Sequence, residues 1–165
     1  MITSPTNPDL PFVSLLAEAT EYFYCFRDYW DPISQDVAMV WKSPRGKSYR
    51  LCAVINEREI RNKTRVKPII RERIEETVFQ ELMAAVELSG IFELKPVEDL
   101  SIMSHITVFV ALRFADGRTS QTFIPGRYSN DERTREIPGL TQKCAPELFP
   151  KIKEEKWRKR GPKPR

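Results

Sequence analysis

At 165 residues, 41% hydrophobic and 30% charged, the chain has length enough for one domain with its own core and a composition that excludes general disorder. Its formal charge of +4 is unevenly placed: residues 151–165 hold eight Lys/Arg against two Glu, and residues 1–150 hold nineteen Lys/Arg against twenty-one Asp/Glu. Basicity therefore belongs to the terminal segment, and a uniformly basic body is excluded.

The polar lead with Pro5 and Pro8 has neither the basic start nor the apolar run of a signal peptide, and no stretch of about eighteen apolar residues occurs. Apolar residues then recur at Phe12, Leu15, Leu16, Ala19, Tyr22, Phe23, Phe26, Tyr29 and Trp30. That spacing predicts a first helix over residues 10–29, with Asp9 as its cap, Pro11 in its first turn and Asp31-Pro32 as its stop. Val37–Trp41 and Ser48–Ile55 read as a β hairpin about Ser43-Pro44-Arg45-Gly46-Lys47. Asn56–Lys67 reads as a charged connection. Ile70, Ile74, Val78, Leu82, Ala85 and Val86 predict a second helix with Pro68 in its first turn, an Arg71–Glu75 pair and Gly90 at its end.

Ile91–Ser104 reads as a loop whose Ile91, Phe92 and Leu94 pack back on the core. Ile106, Val108, Val110, Leu112 and Phe114 alternate with Thr107, Phe109, Ala111 and Arg113, the clearest strand pattern in the chain. Asp116-Gly117 turns it into a partner strand over Arg118–Ile124, closed by Pro125-Gly126. Arg127–Glu136 reads as a mobile polar loop, followed by apolar patches at Ile137–Leu140 and Leu148-Phe149 that dock on the domain. The expected fold is α+β over residues 1–150: a two-layer sandwich in the order α-ββ-α-ββ, its four-stranded antiparallel sheet covered on one face by two helices and partly wet on the other.

The residues that carry chemistry are sparse. His105 is the only histidine, which excludes sites that need two, and no glycine-rich phosphate loop or GxSxG elbow is present. The carboxylates Glu75-Glu76 and Glu57/Glu59 read as solvated charge-paired faces rather than a metal site. Cys25 and Cys52 sit in apolar contexts as core thiols; Cys144 falls in a loop with only Lys143 beside it to lower its pKa. Three cysteines so separated form no disulfide framework or zinc ribbon and suit a reducing compartment. No cofactor and no metal is expected.

The basic tail, residues 151–165, carries the functional signal. Lys151, Lys153, Lys156, Arg158, Lys159, Arg160, Lys163 and Arg165 surround Trp157, while Gly161, Pro162 and Pro164 disfavour regular structure. Such a segment suits phosphate backbones, because each neutralised phosphate releases counterions and an indole can stack on an unpaired base. Arg158–Arg165 resembles an AT-hook, the minor-groove motif built around Arg-Gly-Arg-Pro, with Pro162 in place of the second groove-reading arginine. A second basic stretch (Arg58, Arg61, Lys63, Arg65, Lys67, Arg71 and Arg73) extends a phosphate path or forms a solvated linker.

These features lead to an expectation of a soluble, non-enzymatic binding subunit of a larger assembly. It is cytoplasmic, or nuclear where the host has a nucleus, and its tail contacts DNA or RNA with low specificity or a nucleoprotein complex, with no membrane role. The alternative is a protein adaptor or structural component whose interface is the aromatic face of the first helix, Tyr22, Tyr29 and Trp30, with a non-specific tail that only helps solubility.

Overall fold

The computed structural model describes residues 10–30, 32–95, 106–124 and 131–149. Its strands are β1 (Glu21–Trp30), β2 (Ile33–Lys42), β3 (Ser48–Asn56), β4 (Ile70–Ile74), β5 (Ile106–Arg113) and β6 (Thr119–Ile124). They form one six-stranded antiparallel sheet in the order β4-β3-β2-β1-β5-β6. Three α-helices occur among the described residues: α1 (Glu57–Asn62), α2 (Glu76–Leu88) and α3 (Glu136–Cys144). The expected four-stranded, two-helix order α-ββ-α-ββ is thereby corrected.

The expected first helix is mostly a central strand. Only Val13–Leu16 is helical, as a 3-10 turn; Glu21 to Trp30 pair residue by residue with β2, from Glu21↔Lys42 to Trp30↔Ile33. Tyr22, Phe23, Tyr24 and Cys25 are all buried, so apolar residues occupy both faces of β1. A run apolar at every position satisfies a helical spacing as readily as a two-residue one, and its aromatic richness belongs to a strand. Pro32 lies in the short β1–β2 connection, where no ladder donor is lost.

The second helix begins later than its pattern predicts. Ile70–Ile74 is an edge strand on β3, and its exposed Arg71, Glu72 and Arg73 are the kind of charges that discourage further pairing. Glu75 therefore precedes α2, and Arg71 makes no pair with it. In α2 the inward stripe is Phe79, Leu82, Met83 and Val86, while Val78 is 43% exposed. Both hairpins form as expected, β2–β3 and β5–β6. Gly117 supplies a φ of +92° at the second turn, where the Asp116 carboxylate accepts from the Arg118 backbone N–H at 3.0 Å.

Both faces of the sheet are packed, against the expectation of one wet face. On one, Phe23, Cys25, Val40, Cys52, Val110 and Leu112 meet α2 and α3 through Phe79, Val86, Ile137 and Leu140. On the other, Tyr22, Tyr24, Val37, Met39, Trp41 and Leu51 lie under Leu16 and Ala19, with Phe12, Leu15 and Val66 part-buried around them. The Tyr24 hydroxyl donates to the Pro11 carbonyl at 2.8 Å, fastening the N-terminal segment across the sheet.

Residues 131–136 are ordered rather than loop: a 3-10 turn at Glu132–Arg135 leads into α3, with Asp131 accepting from the Arg133 backbone N–H. Ile137 and Leu140 dock as expected, but Cys144 is buried at the end of α3 and not in an accessible loop. No helix among the described residues is long and apolar enough to cross a membrane.

Candidate functional site

Just after β3 the chain reads Asn56-Glu57-Arg58-Glu59, and this local chemistry makes α1. The Asn56 side chain caps the helix by accepting from the Glu59 backbone N–H at 2.9 Å, with acidic Glu57 and Glu59 in the first turn. Glu57 also pairs with Arg61 at 2.6 Å. Lys63 closes the helix at φ 47°, its backbone N–H donating to the Glu59 carbonyl. The segment that follows is neither helix nor strand, with Arg65 and Lys67 exposed and Val66 and Pro68 part-buried. Val66 packs toward the sheet and leaves its cationic neighbours facing out.

This segment and the N-terminal one bound a groove of about 770 Å³. Phe12, Leu15, Ile55, Ile60 and Val66 supply apolar walls; Lys63, Arg65, Lys67 and Arg71 contribute four cations against one carboxylate, Glu59. None of these four cations makes an ion pair among the described residues, whereas Arg27, Lys42, Arg50, Arg61, Arg118 and Arg133 all do. The only non-glycine residues with positive φ among those described are Phe12 (φ 60°) and Lys63, and both line this groove. Each such residue costs about 1–3 kcal/mol, and such strain gathers at functional sites.

On the reverse side of the same strand ends lies a second cluster. Gln35 of β2 and Ile55 of β3 line the groove, while Ser34, Asp36 and Val54 line a hollow of about 420 Å³ on the opposite face with Tyr29, Glu147 and Leu148. Arg27 donates two hydrogen bonds to Asp36, at 2.7 and 2.9 Å, and both side chains are nearly buried. Burial lifts the Asp36 carboxyl above its ordinary range, against the downward pull of Arg27. Tyr29 is pushed up to about 12, first by burial and then by Asp36.

The end of the described chain is held against this cluster. Arg50 donates to Glu147 at 2.9 and 2.7 Å and to Glu72 at 2.6 Å, and the Phe149 ring lies 5.0 Å from the Arg27 guanidinium. Hydrogen bonds from Arg50 hold Glu147 below its ordinary value. Phe149, the last described residue, thus lies against Arg27.

Of the residues singled out in the sequence, Lys63, Arg65, Lys67 and Arg71 come together in the groove, with Arg58, Arg61 and Arg73 outside its lining. The tail residues Lys151, Lys153, Lys156, Trp157, Arg158, Lys159, Arg160, Lys163 and Arg165, and His105, lie outside the described residues. Tyr22 is buried, Tyr29 is part-buried and Trp30 is 48% exposed, on a strand rather than on a helical face. Glu76 faces Lys42 at 2.6 Å and accepts from Ser48 at 3.1 Å, not the arginines next to it in sequence. Phe12, Leu15 and Ile60 were not singled out as site residues; the Asn56-x-x-Glu59 cap was the signal for the helix that positions Ile60. No protein-family model and no curated protein matches this chain.

Proposed function

We propose that this protein is a non-enzymatic binding subunit whose basic arm, residues 151–165, contacts nucleic acid or a nucleoprotein complex. The observation that carries this reading is the segregation of charge: the arm holds eight Lys/Arg against two Glu, beside a remainder with more acidic than basic residues. The groove supports it with four further cations that make no ion pair among the described residues. The affinity this supplies is backbone-directed and salt-sensitive, with little reading of sequence.

The test compares the full chain with a variant in which the eight arm cations are Gln, titrated against labelled single- and double-stranded DNA and RNA at several salt concentrations. The proposal expects a steep loss of affinity with salt in the natural chain and a shallower one in the variant. Equal, salt-insensitive binding by both refutes it.

An adaptor role is favoured by one observation only. Trp30 and Ile33 face each other across β1 and β2, 48% and 40% exposed. Trp30→Ala should then abolish capture of a protein partner while the melting temperature holds.

A further inference from the structure

The groove has a feature that a generally basic surface lacks. Lys63, at the end of α1, and Arg65 and Lys67 just beyond it are all exposed along one groove, while Val66 between the last two is part-buried against the body. All three line the same groove, so one polyanionic strand laid along it can meet each of them. Arg71, on β4, adds a fourth cation to the lining. The rest of the lining is apolar and includes an aromatic ring, Phe12, whose left-handed backbone holds it at the wall of the groove.

We infer that this groove is a second nucleic-acid site, separate from the basic arm, that takes a single strand: phosphates along Lys63, Arg65 and Lys67, and unstacked bases against Phe12 and Leu15. This rests on the nucleic-acid reading given above and adds to it a place on the body and a choice of strand. Duplexes keep their base faces stacked inside and offer nothing to an apolar wall; a single strand offers charge on one side and base faces on the other. An acidic peptide would satisfy the cations, but its short carboxylate side chains bring no flat apolar surface to the ring.

The test uses the full chain and a fluorescent oligothymidylate, with a duplex of equal length alongside, and reads affinity against salt. The variant K63Q/R65Q/K67Q removes three phosphate contacts, so the slope of log K on log salt for the single strand should shrink by about 2. The control R45Q/K47Q/K143Q removes the same charge from exposed positions outside the groove and should leave that slope unchanged. Duplex binding, carried by the arm, should change little in either variant.

Equal effects of the two triple variants, or equal loss on duplex and single strand, overturn the groove site. If the natural chain binds and the arm variant fails while K63Q/R65Q/K67Q binds as before, the groove inference falls and the arm survives. If the natural chain binds neither probe, both fall. Melting curves of each variant confirm that the comparison is among folded proteins.

Discussion

Replacing Arg27 by Met removes both hydrogen bonds to Asp36, 2.7 and 2.9 Å long, and leaves a carboxylate whose side chain is 11% exposed. Breaking a buried pair from one side costs about 3–5 kcal/mol. At about 2–4 °C per kcal/mol for a chain of this size, the melting temperature should fall by roughly 10 °C. The double variant R27M/D36L removes both desolvated ions and should recover to within about 1 kcal/mol of the natural protein. The pH dependence has a definite sign. Arg27 pulls the Asp36 carboxyl down against burial, so its loss moves the folded pKa further above the unfolded one. Between those two values the folded state holds a proton that the unfolded state releases, so stability of R27M falls as pH rises through that window. The deficit is therefore largest at neutral pH and shrinks toward pH 4. Urea unfolding followed by circular dichroism at pH 7, 5 and 4 measures it. Equal destabilisation of R27M and R27M/D36L at pH 7, or a deficit that does not shrink with acid, refutes the reasoning.

Glu76 is held at about 2 by Lys42, Gln80 and Ser48, so its stabilisation is present above the ordinary glutamate value of 4.5 and is lost as pH falls toward 2. Melting curves of E76Q should lie below those of the natural protein at pH 7 and converge with them between pH 4.5 and 2. Burial pushes Cys25 and Cys52 up to about 11 and Cys144 higher still, so an aromatic disulfide reagent at pH 8 should modify all three only on unfolding. Rapid labelling of Cys144 in native buffer would contradict its burial. Phe79→Ala should cost about 3–5 kcal/mol by chemical denaturation, while Val78→Ala one position away should stay within about 0.5.

The hairpins were readable because turn chemistry and alternation agreed there: Pro44 and Gly46 mark one reversal, and Asp116-Gly117 follows a strand whose faces differ in composition. Residues 21–30 defeated the same method because that strand is central and its first half, 21–25, is buried on both faces, which erases the contrast on which periodicity depends. Ile70 and Ile74 misled for a related reason. A separation of four fits one helical face and equally one strand face, and the charges between them belong to an edge strand rather than to a helix's solvent side. Ile137–Leu140 was legible as a docking patch but not as part of a helix: Pro138 falls in the first turn of α3, where a missing backbone N–H costs no intrahelical bond. For the candidate site, the cations at 58–73 were legible and their partners were not. Arg61 is taken by Glu57 within its own helix, while Glu72 and Glu147 are drawn to Arg50 from elements far apart in sequence and leave the groove cations aside.

That difference in pairing separates two uses of positive charge in one small protein. Arg27, Lys42, Arg50 and Arg118 each join distinct elements, β1 to β2, β2 to α2, β3 to β4 and the C-terminal segment, and the β5–β6 turn to α2. Lys63, Arg65 and Lys67 form no ion pair among the described residues, and they line one groove within a five-residue stretch, where like charges are incompletely screened at physiological salt. They therefore repel one another across a segment that has no helix or sheet of its own to hold it in place. An arrangement that raises the energy of the folded chain, at a groove that also gathers both left-handed non-glycine residues, makes physical sense as a surface completed by an anion. A polyanion supplies that charge along the whole groove at once, where a single buffer ion relieves only one of its cations.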